Sequence, residues 1–286
     1  MINAATATTC RLPTCVFVGP QKAGTSWIHE YLSARGDICL PRGVKETFFF
    51  DDRFERKGLD WYLAHFQPTG NSRQTIEVAP TYFQSDLATA RISQTLPQVP
   101  IIVTLRHPAE RAFSLFLHLR RYGFHDLPLR RAVIELPQIV DSSRYAKHLE
   151  RWYEQVGASH VHVLFQEDLA QNPVEFASRL DRILDLPPVP SGFDIHSRVN
   201  EAAVPASGRV ARLARQAGDF LRDYRLYWPI ELAKQMGFKQ LVYGRPGKKR
   251  LDRLLDEDRQ WLIEQLRPDT ERLQAMLDRD LSAWLQ

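Results

Sequence analysis

Cysteine is scarce. The 286 residues hold three, Cys10, Cys15 and Cys39, with no C-x-x-C spacing, so neither a disulfide scaffold nor a zinc site is indicated. Sparse thiols in odd number fit a reducing compartment, and a cytoplasmic location is the expectation. Long apolar runs are missing too. No stretch approaches the ~18 consecutive apolar residues that cross a bilayer, and the opening MINAATATTCRLP lacks the basic start and apolar run of a leader. A soluble, unexported protein with no membrane span is therefore expected. Neither charge sign dominates: 38 basic against 34 acidic residues leave a net charge of +4 and a pI near 9.0. That mild excess suits an anionic partner. Arg120-Arg121, Arg130-Arg131 and Lys248-Lys249-Arg250 read as solvated faces, because no zinc-finger spacing or aromatic RNA-binding signature accompanies them, and no nucleic acid is expected. Repeats and low-complexity linkers are absent as well, so a single domain over 1–286 is the simplest organisation.

What is present is an alternation of short apolar runs with longer stretches of helical period, the pattern of an α/β domain with a central parallel sheet and flanking helices. CVFVG (15–19), TIEV (75–78), IIVTL (101–105) and VHVLF (161–165) read as buried strands. A helix is expected from Thr25 or Ser26, either of which could cap it, with Trp27, Ile28, Tyr31 and Leu32 on its apolar face. Pro108 suits the first turn of another, whose stripe is Phe113, Phe116 and Leu117. Further helices are expected over 142–156 and 173–184, and a terminal one after Pro268 carrying Leu273, Met276, Leu277, Leu281, Trp284 and Leu285. The stretch 191–247 is weakly patterned and could cover a substrate.

The first strand runs into GPQKAGTSW. Gly19 and Gly24 have the spacing of the nucleotide-hydrolase loop G-x-x-x-x-G-K-[ST], but Thr25 stands where its lysine belongs and the lysine is displaced to Lys22. A glycine-containing turn between strand and helix offers backbone N–H groups and a positive dipole end to an anion wherever the lysine sits. A terminal sulfuryl group carries less charge than a phosphoryl, so one ammonium plus amides could balance it without a metal. The displacement thus points away from magnesium chemistry. A plain strand-to-helix turn with a solvated lysine is the alternative. In IIVTLRHPAERAFSLFLH, Arg106 ends a strand and Ser114 lies seven residues past His107, about two helical turns. The two could clamp a phosphate through charge-assisted hydrogen bonds.

These segments carry a resemblance. QKAGTSWIHEYL resembles the 5′-phosphosulfate-binding loop, and LRHPAERAFSLF the 3′-phosphate segment, of sulfotransferases that use 3′-phosphoadenosine 5′-phosphosulfate. The branch it resembles most is that of the heparan sulfate sulfotransferases and their bacterial relatives. GVKETFFFD (43–51) is similar to the stretch carrying that branch's catalytic glutamate, and EVAPTYF (77–83) to its E-K-x-P-x-Y-F segment. YAKHLERWYEQVGASHVHVLFQEDLAQNP (145–173) and LDRDLSAW also look like the bacterial members. The resemblance implies a P-loop NTPase-like sulfotransferase fold. By position it implies that Lys22, Ala23, Gly24, Thr25, Ser26 and Trp27 hold the 5′-phosphosulfate, and Arg106 and Ser114 the 3′-phosphate, with adenosine 3′,5′-bisphosphate as product.

The family reaction is an in-line displacement, in which the acceptor oxygen must lose a proton and the leaving phosphate must be neutralised. Lys22 is the candidate for neutralisation and Glu46 the candidate base. Lys45, Asp51 and Tyr82 are weaker candidates for the acceptor side, a packed Tyr82 with a bonded hydroxyl being an equal alternative. His107 and His118 are other possible bases, with a positional role favoured for His107. Phe48 replaces a histidine found in some members, and Val78 replaces the lysine of E-K-x-P. Both changes argue against a highly sulfated polysaccharide and leave a small molecule or another glycan as acceptor. Arg198 and GRPGKKR could add donor contacts. Two rival functions are a magnesium-dependent kinase or nucleotide hydrolase using Glu167 and Asp168 as metal carboxylates, and a non-catalytic nucleotide-binding module.

Overall fold

A computed structural model describes residues 12–188, 194–195 and 253–286. They fall into two compact units, one of residues 12–106 with 148–188 and 194–195, the other of 107–147 with 253–286.

The first unit is built on five parallel strands: β1 (Cys15–Gly19), β2 (Ile38–Cys39), β3 (Gln74–Val78), β4 (Ile101–Leu105) and β5 (Val161–Phe165), in the order β2-β3-β1-β4-β5. Every residue of β1 and β4 is buried, as expected for central strands covered on both faces. The four strands expected from sequence are present; Gln74 extends the second, and the two-residue β2 is an addition whose brevity hides it from any periodicity argument. Phe17, Ile28, Tyr31, Ile76, Ile102, Leu164 and Phe176 form the core beneath the sheet.

Helix α1 (Thr25–Ser33) is where the helical spacing placed it, but neither Thr25 nor Ser26 caps it. The cap is Gly24, at φ 91°, a left-handed conformation that a β-branched threonine takes only under strain. Tyr31 and Arg35 converge on Asp181 of the helix Pro173–Ile183, with Tyr31 Oη 2.8 Å and Arg35 Nη1 3.0 Å from its carboxylate. Burial pushes the Asp181 carboxyl up, while the tyrosine hydroxyl and guanidinium pull it back.

The second unit packs the helices Pro108–Arg121 and Leu129–Glu135 against the long helix Asp256–Leu277 through Ala112, Leu115, Phe116, Leu129, Leu262 and Leu266. Pro108 occupies the first turn as expected. Phe116 is buried, whereas the other two members of the expected stripe, Phe113 and Leu117, are only partly so. The expected terminal helix is corrected: it begins at Asp256 rather than after Pro268, which it accommodates in its interior. Three acidic residues in its first turn, Asp256, Glu257 and Asp258, favour that earlier start. It stops at Leu277, where Asp278 turns left-handed at φ 46°, so Leu281, Trp284 and Leu285 lie beyond it around a short 3₁₀ turn. The helix expected over 142–156 spans Tyr145–Val156. The Asp269 carboxylate accepts from Ala146 N at 2.9 Å and Lys147 N at 3.1 Å, holding that helix start.

Candidate active site

The donor-type loop follows β1. Gly19 has φ 105°, and a Cβ there would come within 2.5 Å of the Pro80 Cα and carbonyl oxygen. Only glycine lets the loop approach the segment after β3 so closely. Ala79 N donates to Phe17 O at 2.9 Å and Phe83 N to Val18 O at 3.0 Å, so residues 79–83 stay beside the end of β1. The Gly19-Pro20 peptide is cis. Lys22 itself has φ 70°, unusual for a residue with a side chain. Behind it, no side chain caps the amino end of α1, whose first amides by geometry lack intrahelical partners.

Arg106, at the end of β4, donates from Nη1 to the Lys22 carbonyl at 3.3 Å. The guanidinium expected at a 3′-phosphate therefore touches the backbone of the loop expected at the 5′ end. Ser114 is half-buried in the helix Pro108–Arg121 of the second unit. Trp27 is packed inward, stacked on Tyr31 with centroids 5.2 Å apart and edge-on to Phe176 at 5.7 Å. Ala23 and Thr25 are buried, and Ser26 is half-exposed.

Lys45 joins the donor-type loop to the expected base. Its Nζ lies 3.5 Å from Ser26 Oγ and 3.8 Å from Glu46 Oε1. Burial lowers the Lys45 pKa, and the carboxylates of Glu46 and Glu30 partly oppose that shift. The same ammonium, after burial, holds neighbouring His29 down to about 4. Side-chain exposure is 32% for Lys45 and 17% for Glu46, so both reach the surface of the site.

Immediately beyond Glu46 the chain dives into the core. Thr47 donates from N (3.1 Å) and Oγ1 (2.5 Å) to Glu77 Oε1. Tyr62 Oη donates to Glu77 Oε2 at 2.8 Å, and Tyr82 Oη lies 3.3 Å from both carboxylate oxygens. The Tyr82 hydroxyl also accepts from Phe49 N at 3.0 Å and Phe50 N at 3.3 Å, where a π-helical turn, Phe49–Arg53, begins. Tyr82 takes the packed alternative: it is fully buried beneath the loop. Burial raises the Glu77 carboxyl, and the hydroxyls of Thr47 and Tyr62 oppose it. Asp51 is likewise raised by burial, with the Thr81 hydroxyl opposing.

Glu77 is the site residue that sequence reading passed over. The signal was there: a glutamate within the apolar run TIEVAP must find donors if it is buried. Val78, in place of the family lysine, is fully buried in β3, and Phe48 is half-buried at φ 53°. His107 and His118 both lie in the second unit, the first 6.3 Å from the Trp284 ring and the second 4.6 Å from that of Tyr122. Asp168, a metal carboxylate in the kinase alternative, sits 3.9 Å from Arg179 Nη1. Among the described residues no cluster of histidine, cysteine and acidic side chains has metal-site geometry, and no helix is long and apolar enough to cross a membrane. Arg198, GRPGKKR and almost all of 191–247 lie outside the described residues.

A parallel sheet whose first crossover turn presents amides and a lysine, with a carboxylate loop against it, defines a P-loop-like group-transfer fold. The chain belongs to the sulfotransferase family: the sulfotransferase domain matches residues 12–199. That membership supports a sulfotransferase enzyme over the kinase alternative. Among relatives, it is 31% identical over 209 residues to "Bifunctional heparan sulfate N-deacetylase/N-sulfotransferase" of Drosophila melanogaster, covering 62% of this chain and 20% of the relative. It is 30% identical over 202 residues to "Bifunctional heparan sulfate N-deacetylase/N-sulfotransferase 2" of Homo sapiens, covering 63% and 23%. The chain thus spans about a fifth to a quarter of these relatives' length. In fold it resembles the sulfotransferase from Alicyclobacillus acidocaldarius, with TM-score 0.67, 22% identity, and 96% and 100% of the two chains covered. A sulfotransferase domain from the curacin biosynthetic pathway is more distant, at TM-score 0.52 and 15% identity over 95% and 99%.

Proposed function

We propose that this sulfotransferase takes its sulfuryl group from 3′-phosphoadenosine 5′-phosphosulfate and delivers it to a hydroxyl or amine of a glycan or small molecule, with Glu46 as base. The observation that carries this reading is the position of Lys45, whose ammonium lies against Ser26 of the donor-type loop and Glu46 of the base loop. The residues fit such a donor: a left-handed glycine opens an uncapped helix start, a lysine sits in the turn, and Arg106 holds the turn's backbone. Lys22 through Trp27 are assigned to the 5′ end, the last as a packed support, and Arg106 and Ser114 to the 3′-phosphate on sequence resemblance.

In the proposed step the acceptor oxygen or nitrogen attacks sulfur from the side opposite the bridging phosphate oxygen. The new bond to sulfur forms as the bridging S–O bond breaks, and the acceptor's proton passes to the Glu46 carboxylate. Adenosine 3′,5′-bisphosphate leaves, with Lys22 neutralising the charge that grows on its 5′-phosphate. Lys45 and Asp51 are assigned to the acceptor side on sequence resemblance, and the Lys45 ammonium lies 3.8 Å from the Glu46 carboxylate. The heparan sulfate relatives motivate amino-sugar polymers as the first acceptors to try. The test is transfer of radiolabelled sulfate to a panel of N-desulfated heparin, simple glycosides and phenols, read by mass spectrometry. Transfer that Glu46→Gln leaves at the wild-type rate would sink the base assignment, and absence of binding to adenosine 3′,5′-bisphosphate would sink the donor.

A further inference from the structure

Glu77 is wholly buried on a central strand, yet it is no orphan charge: four donor groups surround it, and the two from Thr47 come from the residue directly after Glu46. A buried carboxylate is costly to leave unpaired, and here the donors could have come from anywhere in the core. They come instead from the loop that carries the proposed base and from the two tyrosines that floor it. Arg53 Nη1 closes the arrangement by donating to the Thr47 carbonyl at 3.0 Å, so both the amide and the carbonyl of Thr47 are held. With the peptide units on both sides of Thr47 fixed and Phe48 left-handed behind them, the direction in which the preceding side chain leaves the core is set. Glu46 is mostly covered, and Lys45 Nζ reaches its carboxylate from the donor side at 3.8 Å.

We propose that Glu77 is a positioning residue, whose carboxylate grips Thr47 from beneath and so aims Glu46 at the acceptor. The inference rests on Glu46 being the base. Glu77 makes no contact with substrate in this role; it acts through one peptide unit. Because a base loses most of its effect when displaced by about 1 Å, loosening Thr47 lowers turnover while leaving the donor loop, and hence donor affinity, intact.

The test compares wild type with Glu77→Gln, Thr47→Val and Thr47→Ser, using radiolabelled donor and N-desulfated heparin, which offers both hydroxyls and amines. Thr47→Val and Glu77→Gln are expected to lower kcat by about tenfold or more with the donor KM within about threefold, and Thr47→Ser to return kcat to within about threefold of wild type. A folded Thr47→Val enzyme with wild-type kcat overturns the positioning role and leaves the proposed function standing. Thr47→Val keeps the test available where Glu77→Gln does not fold. Failure of the wild type to label this acceptor counts against the glycan reading instead, and the isotope-labelled carboxyl resonance of Glu46 then decides. Displacement in Thr47→Val with restoration in Thr47→Ser sustains the proposal; an unmoved resonance overturns it.

Discussion

The two loops that meet at Lys45 are built on opposite principles. The donor-type turn after β1 is shaped by backbone: three left-handed residues, Gly19, Lys22 and Gly24, in six positions, with support from a carbonyl bond to Arg106. The base loop is shaped mainly by side chains: besides two left-handed residues, Gly43 and Phe48, it is fastened by Glu77, Tyr62, Tyr82 and Arg53. An anion cradle needs its amides bare and pointing one way, so side chains that bonded to them would defeat it. A base needs only one group held at one angle, and a buried network supplies that. Backbone-built sites tolerate few residues at each position; network-built sites tolerate any set that keeps every partner satisfied.

The contrast can be broken most violently at Gly19. Gly19→Ala combines φ 105° with a Cβ 2.5 Å from Pro80 backbone, and a loss on the order of 3 kcal/mol in denaturant unfolding is expected. Gly24→Ala sharpens the point, since its nearest non-neighbouring atom is the Gln166 Cγ at 3.5 Å, so only the left-handed strain of about 1 kcal/mol is expected. Lys22→Ala should cut kcat by roughly 100-fold, about 2.7 kcal/mol, and weaken adenosine 3′,5′-bisphosphate far less, measured by steady-state kinetics beside calorimetry. An equal loss in both would mean that the lysine binds without favouring the transition state. On the network side, Tyr62→Phe takes away the hydrogen bond at 2.8 Å to Glu77 Oε2, and about 1–2 kcal/mol of stability is expected to go with it.

The smallest effect is one of pH. His29 is held down to about 4 by burial and then by Lys45, so the folded state keeps it neutral where the unfolded chain, near 6.5, takes up a proton. The unfolded state binds more protons in that window, and stability falls as pH drops from about 6.5 towards 4. His29→Gln should flatten that part of a thermal-unfolding series. A series of unchanged slope would show that solvent reaches the ring and removes the shift.

How much of this was legible beforehand follows from what each element depends on. Parallel strands covered by helices are mostly apolar, so CVFVG, IIVTL and the less buried edge strand VHVLF could be read to the residue. The two-residue β2 owes its existence to its neighbour β3 and carries no period of its own. The start of α1 was placed correctly, but its cap was not, because left-handed geometry at Gly24 is decided by the loop rather than by hydroxyl chemistry. Pro268 looked like a helix boundary and is an interior residue, since the helix is seated by buried Leu262, Ile263, Leu266 and Leu273 on both sides of it. Lys22, Arg106 and Glu46 were proposed from motifs, which carry no information on their mutual geometry. The contact from Lys45 to Ser26 spans nineteen positions of sequence and belongs to tertiary packing alone.

One hydroxyl has a wider meaning. Where a helical turn begins, its leading amides normally look to solvent, yet Tyr82 serves Phe49 and Phe50 from within a dry interior. The chain can therefore pass directly from the partly exposed Lys45 and Glu46 to the buried Thr47, Phe49 and Phe50. Such a loop is a mooring post rather than a flap.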